Sequence, residues 1–360
     1  MLPLIENWAT LSTTTDNAHA LGEMRHALTQ AFKSLDAQVQ ELKVPPAVKV
    51  LPNGTLAQRP LSPCLSFRKR PDAQKQVLLA GHMDVVLPPK PLVRKSDKLI
   101  GSGVADMKGG LAVILETLTR FEKSDIAESL GWEVFINADE EIGSPGSSRL
   151  FPEIAKRHTT CLIFEPTLPD GSLVLQRKGS ANFAAIAKGR GAHAGRDFFS
   201  GKNAIVILCN FCIELQRLID KEKDITLNIG TFTGGLSANT VPDCAGCTFN
   251  VRAWENMEPL LEAIQQIANE GQIELTELTK RPPKPLDAKN KALFDLLGGK
   301  VVAKRSGGVC DGNNFSALGL ATLDTLGPIG GNLHTYEEYL IIDSLEQKVE
   351  QALDLLRLKA

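Results

Sequence analysis

Short apolar runs punctuate the first half of the chain: Val77-Leu-Leu-Ala80, Trp132-Glu-Val-Phe-Ile136 and Cys161-Leu-Ile-Phe164. Between them lie stretches with helical spacing, Gly110 to Phe121 and Ser147 to Arg157. Strands alternating with helices predict an α/β unit with a mostly parallel sheet. The runs are apolar on both faces, as expected when helices cover both sides.

The texture changes between about Gly179 and Arg281. Here the pattern reads strand (Ala181 to Lys188), helix (Asn203 to Ile219), strand (Ile225 to Phe232), strand (Cys247 to Trp254), helix (Met257 to Asn269) and strand (Ile273 to Leu278). A βαββαβ order is the ferredoxin-like, split-βαβ unit. After the stiff Arg281-Pro-Pro-Lys-Pro285 segment, helices over Ala288 to Leu297 and Asp343 to Leu358 flank a Gly-rich stretch and return to the α/β texture. The expected organisation is a catalytic domain in two parts, residues 1–178 and 286–360, with a ferredoxin-like domain inserted at 179–285.

At 360 residues the chain is long enough for two compact units. A formal net charge of -2 gives no reason to expect nucleic acid or an anionic membrane as a partner. The start, Met1 to Trp8, lacks the basic n-region and apolar core of a secretory signal, and no apolar run reaches the roughly 18 residues of a membrane span. Seven cysteines, an odd number, suit reduced thiols. The expected location is cytoplasmic.

Acidic and imidazole side chains recur where the strands run out: His82 and Asp84, Asp106, Glu140 and Glu141, and Glu165. The carboxyl edge of an open α/β sheet is where such side chains converge. His334, in Gly331-Asn-Leu-His-Thr335, comes from the segment after the insertion. Taken singly, each carboxylate would read as a solvated loop end; the joint pattern reverses that. His82, Asp106, Glu141, Glu165 and His334 supply two imidazoles and three carboxylates, a mixture that suits Zn²⁺ better than Mg²⁺ or Ca²⁺. Five ligands exceed one tetrahedral site, so two ions about 3.5–4 Å apart are the economical reading.

Asp84, two residues after His82, faces the same way on an extended chain and can accept the second imidazole N–H. Glu140 and Glu141 are neighbours whose side chains would point apart in extended structure, so one can hold metal while the other moves a proton. Spacing alone does not say which does which.

Four strings carry a family resemblance: Gly81-His-Met-Asp-Val-Val86, Gly101-Ser-Gly-Val-Ala-Asp-Met-Lys-Gly-Gly110, Asp139-Glu-Glu-Ile-Gly-Ser144 and Asn332-Leu-His334. In this order, across nearly the whole chain, they resemble the co-catalytic zinc exopeptidase family of aminoacylase, glutamate carboxypeptidase, acetylornithine deacetylase and succinyl-diaminopimelate desuccinylase. The resemblance implies two zinc ions bridged by Asp106, with His82 and Glu165 completing one site and Glu141 and His334 the other. Glu140 becomes the general base and Asp84 the orienting carboxylate. In the insertion, Gly191-Ala-His-Ala-Gly195 matches the family's lid motif, which implies a homodimer in which His193 reaches the partner's site and polarises the scissile carbonyl. Asn239 and Arg252 match substrate-holding positions, an Arg fork suiting a free carboxylate. The Gly-rich Ser306-Gly-Gly-Val309, including Gly308, matches a stretch lining the substrate pocket; it lacks the Gly-Lys-Ser/Thr arrangement of a phosphate loop.

The expected function is metal-dependent hydrolysis of an amide in a carboxylate-bearing N-acyl amino acid or short peptide, closest to the glutamate carboxypeptidase branch. Ala192-His-Ala-Gly195 and Leu323-Asp-Thr-Leu-Gly-Pro-Ile-Gly-Gly331 favour that branch. Glu165 departs from it, since the carboxypeptidase pattern has Asp there while aminoacylase and the desuccinylase have Glu. The alternative is therefore a deacylase of the acetylornithine or succinyl-diaminopimelate kind. Two readings come from other classes: a non-catalytic metal-stabilised binding protein, and a thiol redox protein using Cys209-Asn-Phe-Cys212 and Cys244-Ala-Gly-Cys247. The same two pairs could also be halves of a structural zinc site, but the first lies in an apolar helix and the two are too far apart for a compact ribbon, which favours buried structural thiols.

Overall fold

The computed structural model describes residues 1–360 apart from Pro52 and Lys300. Its main sheet has six strands in the order Gln38–Leu42, Cys64–Lys69, Gly131–Asn137, Gln76–His82, Thr160–Ile163 and Ala321–Leu323. The last four run parallel. The first two are joined antiparallel, and Cys64–Lys69 is antiparallel to Gly131–Asn137. The sheet is therefore mixed, where a mostly parallel one was expected. The antiparallel edge comes from residues before Val77, outside the strand and helix alternation on which that expectation rested.

Period-2 burial divides the strand Gln76–His82 between two apolar cores. Val77 and Leu79 join the core under the helices Leu2–Ala9, Ala18–Phe32, Gly110–Phe121 and Ser344–Lys359, while Leu78 and Ala80 join a smaller one with Phe135, Phe151 and Phe315. Helices thus cover both faces, as the doubly apolar runs required. The expected helix over Ser147 to Arg157 is shorter: a 3₁₀ turn at Ser147–Arg149 and an α-helix only over Phe151–Ala155, which starts at a first-turn proline.

The additional, β-rich domain has a wholly antiparallel sheet ordered Thr226–Gly234, Cys244–Ala253, Gly179–Lys188 and Ile273–Arg281. Two helices, Ala204–Gln216 and Glu258–Glu270, cover one face, completing the βαββαβ order. Alternation again sorts the faces. Ala181, Phe183, Cys247, Phe249 and Val251 pack in the domain's own core, whereas Ser180, Asn182, Thr248, Asn250 and Arg252 line a cleft of about 620 Å³. The opposite wall includes the hairpin Ala47–Val50 and Leu56–Arg59 and the turn at Glu141–Gly143. Cys212 and Cys247 are buried with their Sγ atoms 3.9 Å apart, while Cys209 is exposed. Folding thus brings together one thiol from each Cys-x-x-Cys pair despite their separation in sequence, and the burial expected of all four holds fully for two.

A small antiparallel sheet ties the distant end of the chain to the middle. Tyr339–Ile341 pairs with both Lys98–Ile100 and Gly330–Gly331. The loop that follows Ile100 carries Asp106, and the loop between Gly331 and Tyr339 carries His334. The two loops are therefore held side by side.

Candidate active site

His82 ends its strand, Asp106 lies in the turn before the helix Gly110–Phe121, Glu140 and Glu141 follow Asn137, and Glu165 follows Ile163. All sit at the carboxyl edge of the parallel strands. Gly110 permits the closest approach in this region: a Cβ there would lie 2.0 Å from the Phe164 carbonyl oxygen. Without it the helix could not press the Asp106 turn against the strand end that presents Glu165. The Asp106–Met107 peptide is cis.

The two oxygens of the Asp106 carboxylate face different imidazoles. His82 Nε2 is 3.1 Å from Oδ1, and His334 Nε2 is 3.4 Å from Oδ2. His334 Nε2 also lies 3.1 Å from Glu141 Oε2, and His82 Nε2 lies 3.9 Å from Glu165 Oε1. Donor atoms of His82, Asp106 and Glu141 fall within 4.8 Å of one another, as do those of His82, Glu140 and Glu165. Burial would raise the Asp106 pKa, but hydrogen bonding to His334 and His82 outweighs it and holds the carboxyl well below its usual range. His334 has a left-handed backbone (φ 61°), and so does Asn332 (φ 55°), which turns the loop back toward Asp106.

Asp84 is fully buried and organises more than His82. Its carboxylate accepts the Thr15 hydroxyl at 2.9 Å and the backbone N–H groups of Glu140 and Glu141, each at 3.2 Å. His82 Nδ1 is 3.0 Å from the Asp84 carbonyl oxygen and 3.4 Å from its carboxylate. The expected contact is thus shared with the backbone. Glu140 and Glu141 do not lie in extended chain but in the 3₁₀ turn Glu140–Ile142. Their side chains still diverge, Glu141 toward His334 and Glu140 toward Arg281. Burial pushes the Glu140 carboxyl up to about 8, against the pull of the Arg281 and His82 charges.

His82 with the carboxylates of Asp106, Glu140, Glu141 and Glu165, joined by His334 beside Asp106 and Glu141, forms a donor set that fits Zn²⁺. The clusters match a binuclear zinc centre, with more oxygen donors than a single tetrahedral ion can use.

Arg252 Nε donates to Asn250 Oδ1 at 2.9 Å and Nη1 to the Gly307 carbonyl at 2.8 Å, which leaves Nη2 without a partner among the described residues. Gly308 lies alongside, its carbonyl accepting from Arg177 Nη1 at 3.1 Å. His193 and Asn239 come together elsewhere on the inserted domain: the Ala194 N–H donates to the Asn239 carbonyl at 2.9 Å. Neither lines the cleft. Exposed His193 makes no ion pair with the Asp106 cluster among the described residues; its Nδ1 accepts the N–H groups of Gly195 and Arg196 at 3.1 and 3.2 Å. With Nδ1 accepting, Nε2 is the ring nitrogen left to donate.

Three residues with no motif of their own also serve the site. Glu338 accepts the N–H groups of Gly103, Ala105 and Asp106 at 3.0, 2.9 and 3.0 Å, and Arg281 reaches Glu140. Asp324 takes Arg177 through two nitrogens at 3.0 and 2.9 Å and Lys284 Nζ at 2.8 Å. It thereby clamps both connections to the inserted domain.

Residues 78–357 match the model of peptidase family M20/M25/M40. The chain belongs to that family. It is 31% identical over 304 residues to carboxypeptidase G2 of Pseudomonas sp. (strain RS-16), covering 78% of this chain and 73% of that protein. It is 26% identical over 304 residues to succinyl-diaminopimelate desuccinylase of Nitrosospira multiformis, covering 75% and 80%. Among solved structures, an M20 family metallo-carboxypeptidase from Sulfolobus solfataricus superposes with a TM-score of 0.76 at 16% identity, covering 99% of this chain and 98% of that one. Aminopeptidase PepT from Bacillus cereus does so with a TM-score of 0.70 at 22% identity, covering 99% and 97%. These likenesses establish an M20 fold. With the metal clusters, family membership makes the protein a zinc-dependent amidohydrolase acting on acylated amino acids or peptides. No helix among the described residues is long and apolar enough to cross a membrane.

Proposed function

We propose that this M20 enzyme is a carboxypeptidase-like hydrolase that removes a C-terminal amino acid from an N-acyl amino acid or short peptide, with the free carboxylate gripped by Arg252. The observation that carries the metal reading is the Asp106 carboxylate, whose oxygens each face a separate imidazole. Asp106, His82, Glu165, Glu141 and His334 would hold two zinc ions, Asp106 being shared between them. Zinc held there supplies Lewis acidity toward the scissile carbonyl and makes water a better nucleophile near neutral pH.

Glu140 takes the proton of the attacking water and returns it to the leaving nitrogen, a role open to a buried carboxylate that sits beside His82 and Glu165 and is not paired with His334. Asp84 holds His82 and, through two backbone N–H groups, the turn carrying Glu140 and Glu141. Arg252 lines the cleft with its Nη2 unpaired among the described residues and Gly308 beside it, while Asn239, which stands next to His193 outside this cleft, joins the grip on substrate together with His193 in the partner subunit's site. The Nε2–H of His193, remote from its own cluster, suits donation to the carbonyl oxygen in a partner subunit's site. That reading requires a homodimer through the inserted domain, residues 179–285. Exposed Val206 and Ile213 on the helix Ala204–Gln216, beside the sheet edge Thr226–Gly234, support such an interface. Seven unpaired thiols support a cytoplasmic location.

A screen of zinc-loaded protein on acyl-glutamates, other acyl-amino acids, acetylornithine and succinyl-diaminopimelate tests the proposal. Preferred cleavage of acyl-amino acids with a free α-carboxylate supports it. Activity confined to the last two compounds would move the protein to the deacylase branch, which Glu165 and the desuccinylase likeness favour. Inertness of metal-replete protein across the panel would favour a binding role.

A further inference from the structure

We infer that Arg281 is a positioning residue through which the inserted domain sets the orientation of Glu140. The inference rests on Glu140 being the base.

Arg281 is the last residue of the strand Ile273–Arg281, paired to Ser180 in the inserted domain's sheet. Its guanidinium is buried in the other domain. Four oxygens crowd one nitrogen: Nη2 lies 2.8 Å from Glu140 Oε1, 2.9 Å from Ser144 Oγ, 3.0 Å from Asp311 Oδ1 and 3.1 Å from the Glu140 carbonyl. Nη2 carries only two protons, so these acceptors compete. The Glu140 carboxylate loses at present. Its contact is close enough for an ion pair but misses hydrogen-bond alignment, and Oε1 has no hydrogen bond among the described residues. Arg281 Nε is also without one among those residues. A small rotation of the guanidinium would therefore redistribute protons rather than break a saturated network.

The surroundings make strand movement the natural source of that rotation. Immediately after Arg281 the chain is pinned: Asn313 Nδ2 donates to the carbonyls of Pro282 and Lys178, both at 2.8 Å, one on each connection between the domains. Arg281 is thus the first residue on the inserted-domain side of a fixed point. The competing acceptors are fixed too. Asp311 opens the helix Asp311–Ala317 and is held by Asn137 Nδ2 at 2.7 Å and by the Ser144 hydroxyl. Tilting the inserted domain over substrate swings Arg281 against static oxygens, and Glu140 Oε1 is the neighbouring acceptor that no described residue already fills. Arg252, with Nη2 unpaired among the described residues, is the better substrate grip of the two arginines.

The test compares Arg281→Lys, Asp311→Asn, their combination and Ser144→Ala with wild-type, zinc-loaded enzyme on the best substrate of the panel, with zinc content and melting temperature measured for each. A misplacement of about 1 Å at a reacting group can cost about 100-fold in rate. Arg281→Lys and Asp311→Asn are therefore expected to lower kcat by about 10- to 100-fold at unchanged KM and zinc content. The combination should be no worse than the poorer single variant, and Ser144→Ala should move kcat the same way by a smaller factor. A raised KM with intact kcat would make Arg281 a substrate ligand and overturn the inference, as would unaltered kinetics. If Arg281→Lys melts early, unaltered kcat in folded Asp311→Asn and Ser144→Ala overturns it equally. Full activity of Glu140→Gln would remove the base reading and the inference together, whereas altered kcat in Arg281→Lys beside a dead Glu140→Gln keeps both.

Discussion

The carboxylate of Glu338 accepts the backbone N–H of Asp106 at 3.0 Å. It also holds the N–H groups of Gly103 and Ala105, so one side chain from the His334 loop shapes the turn that presents the Asp106 carboxylate. Loss of such outer support typically weakens metal binding by about 10- to 100-fold. Glu338→Gln should weaken zinc affinity by that factor in competition with a chelating dye, while activity at saturating zinc stays within a few-fold of wild type. Unaltered affinity would mean that the turn stands without Glu338.

Asp324 clamps Arg177 and Lys284, and removing one partner from a buried charge cluster costs about 3–5 kcal/mol. Asp324→Asn should lower the urea midpoint at neutral pH accordingly. Burial would raise the Asp324 pKa, but the Arg177 and Lys284 charges and hydrogen bonds hold it below its ordinary value. A depressed folded-state pKa contributes stability that is fully present above the unfolded pKa of about 3.9 and disappears as pH falls through the folded value. The gap between wild type and Asp324→Asn should therefore be widest at neutral pH and close in acid. A gap that widens in acid would contradict this assignment.

If His193 acts across a dimer, two inactive variants can rescue each other. His193→Ala and Glu140→Ala should each be nearly inactive alone. Unfolded together and refolded, they should recover about a quarter of wild-type activity, because half the dimers are mixed and each mixed dimer has one intact site. Absence of recovery, with mixed dimers demonstrated, would place His193 in its own subunit's site or outside catalysis.

The sequence was most legible where side-chain chemistry is repeated locally. The inserted domain's strands and helices lie within a few residues of their expected ends, because period-2 and helical spacing survive in each short segment. His82, Asp106, Glu141 and Glu165 converge at the carboxyl edge of the sheet, as the strand-end reading expects, and His334 joins them from the later segment. Glu338, Arg281 and Asp324 stayed hidden for a physical reason: each acts through one long-range contact, and an isolated Glu or Arg beside a turn has no periodicity to betray it. The turn at Glu140–Ile142 was misread as extended because Asp84, 56 residues away from Glu140 in sequence, captures its backbone N–H groups. The antiparallel edge of the main sheet escaped because Gln38–Leu42 is largely exposed and lacks the apolar signature of a central strand.

The most direct measurement is the turnover of Glu140→Gln, zinc-loaded to the wild-type content, on the substrate that wild-type enzyme cleaves best. Loss of a positioned acid–base group predicts a fall in kcat of at least about 100-fold with zinc still bound. Turnover within a few-fold of wild type at full zinc occupancy would contradict the assignment of Glu140 as the base.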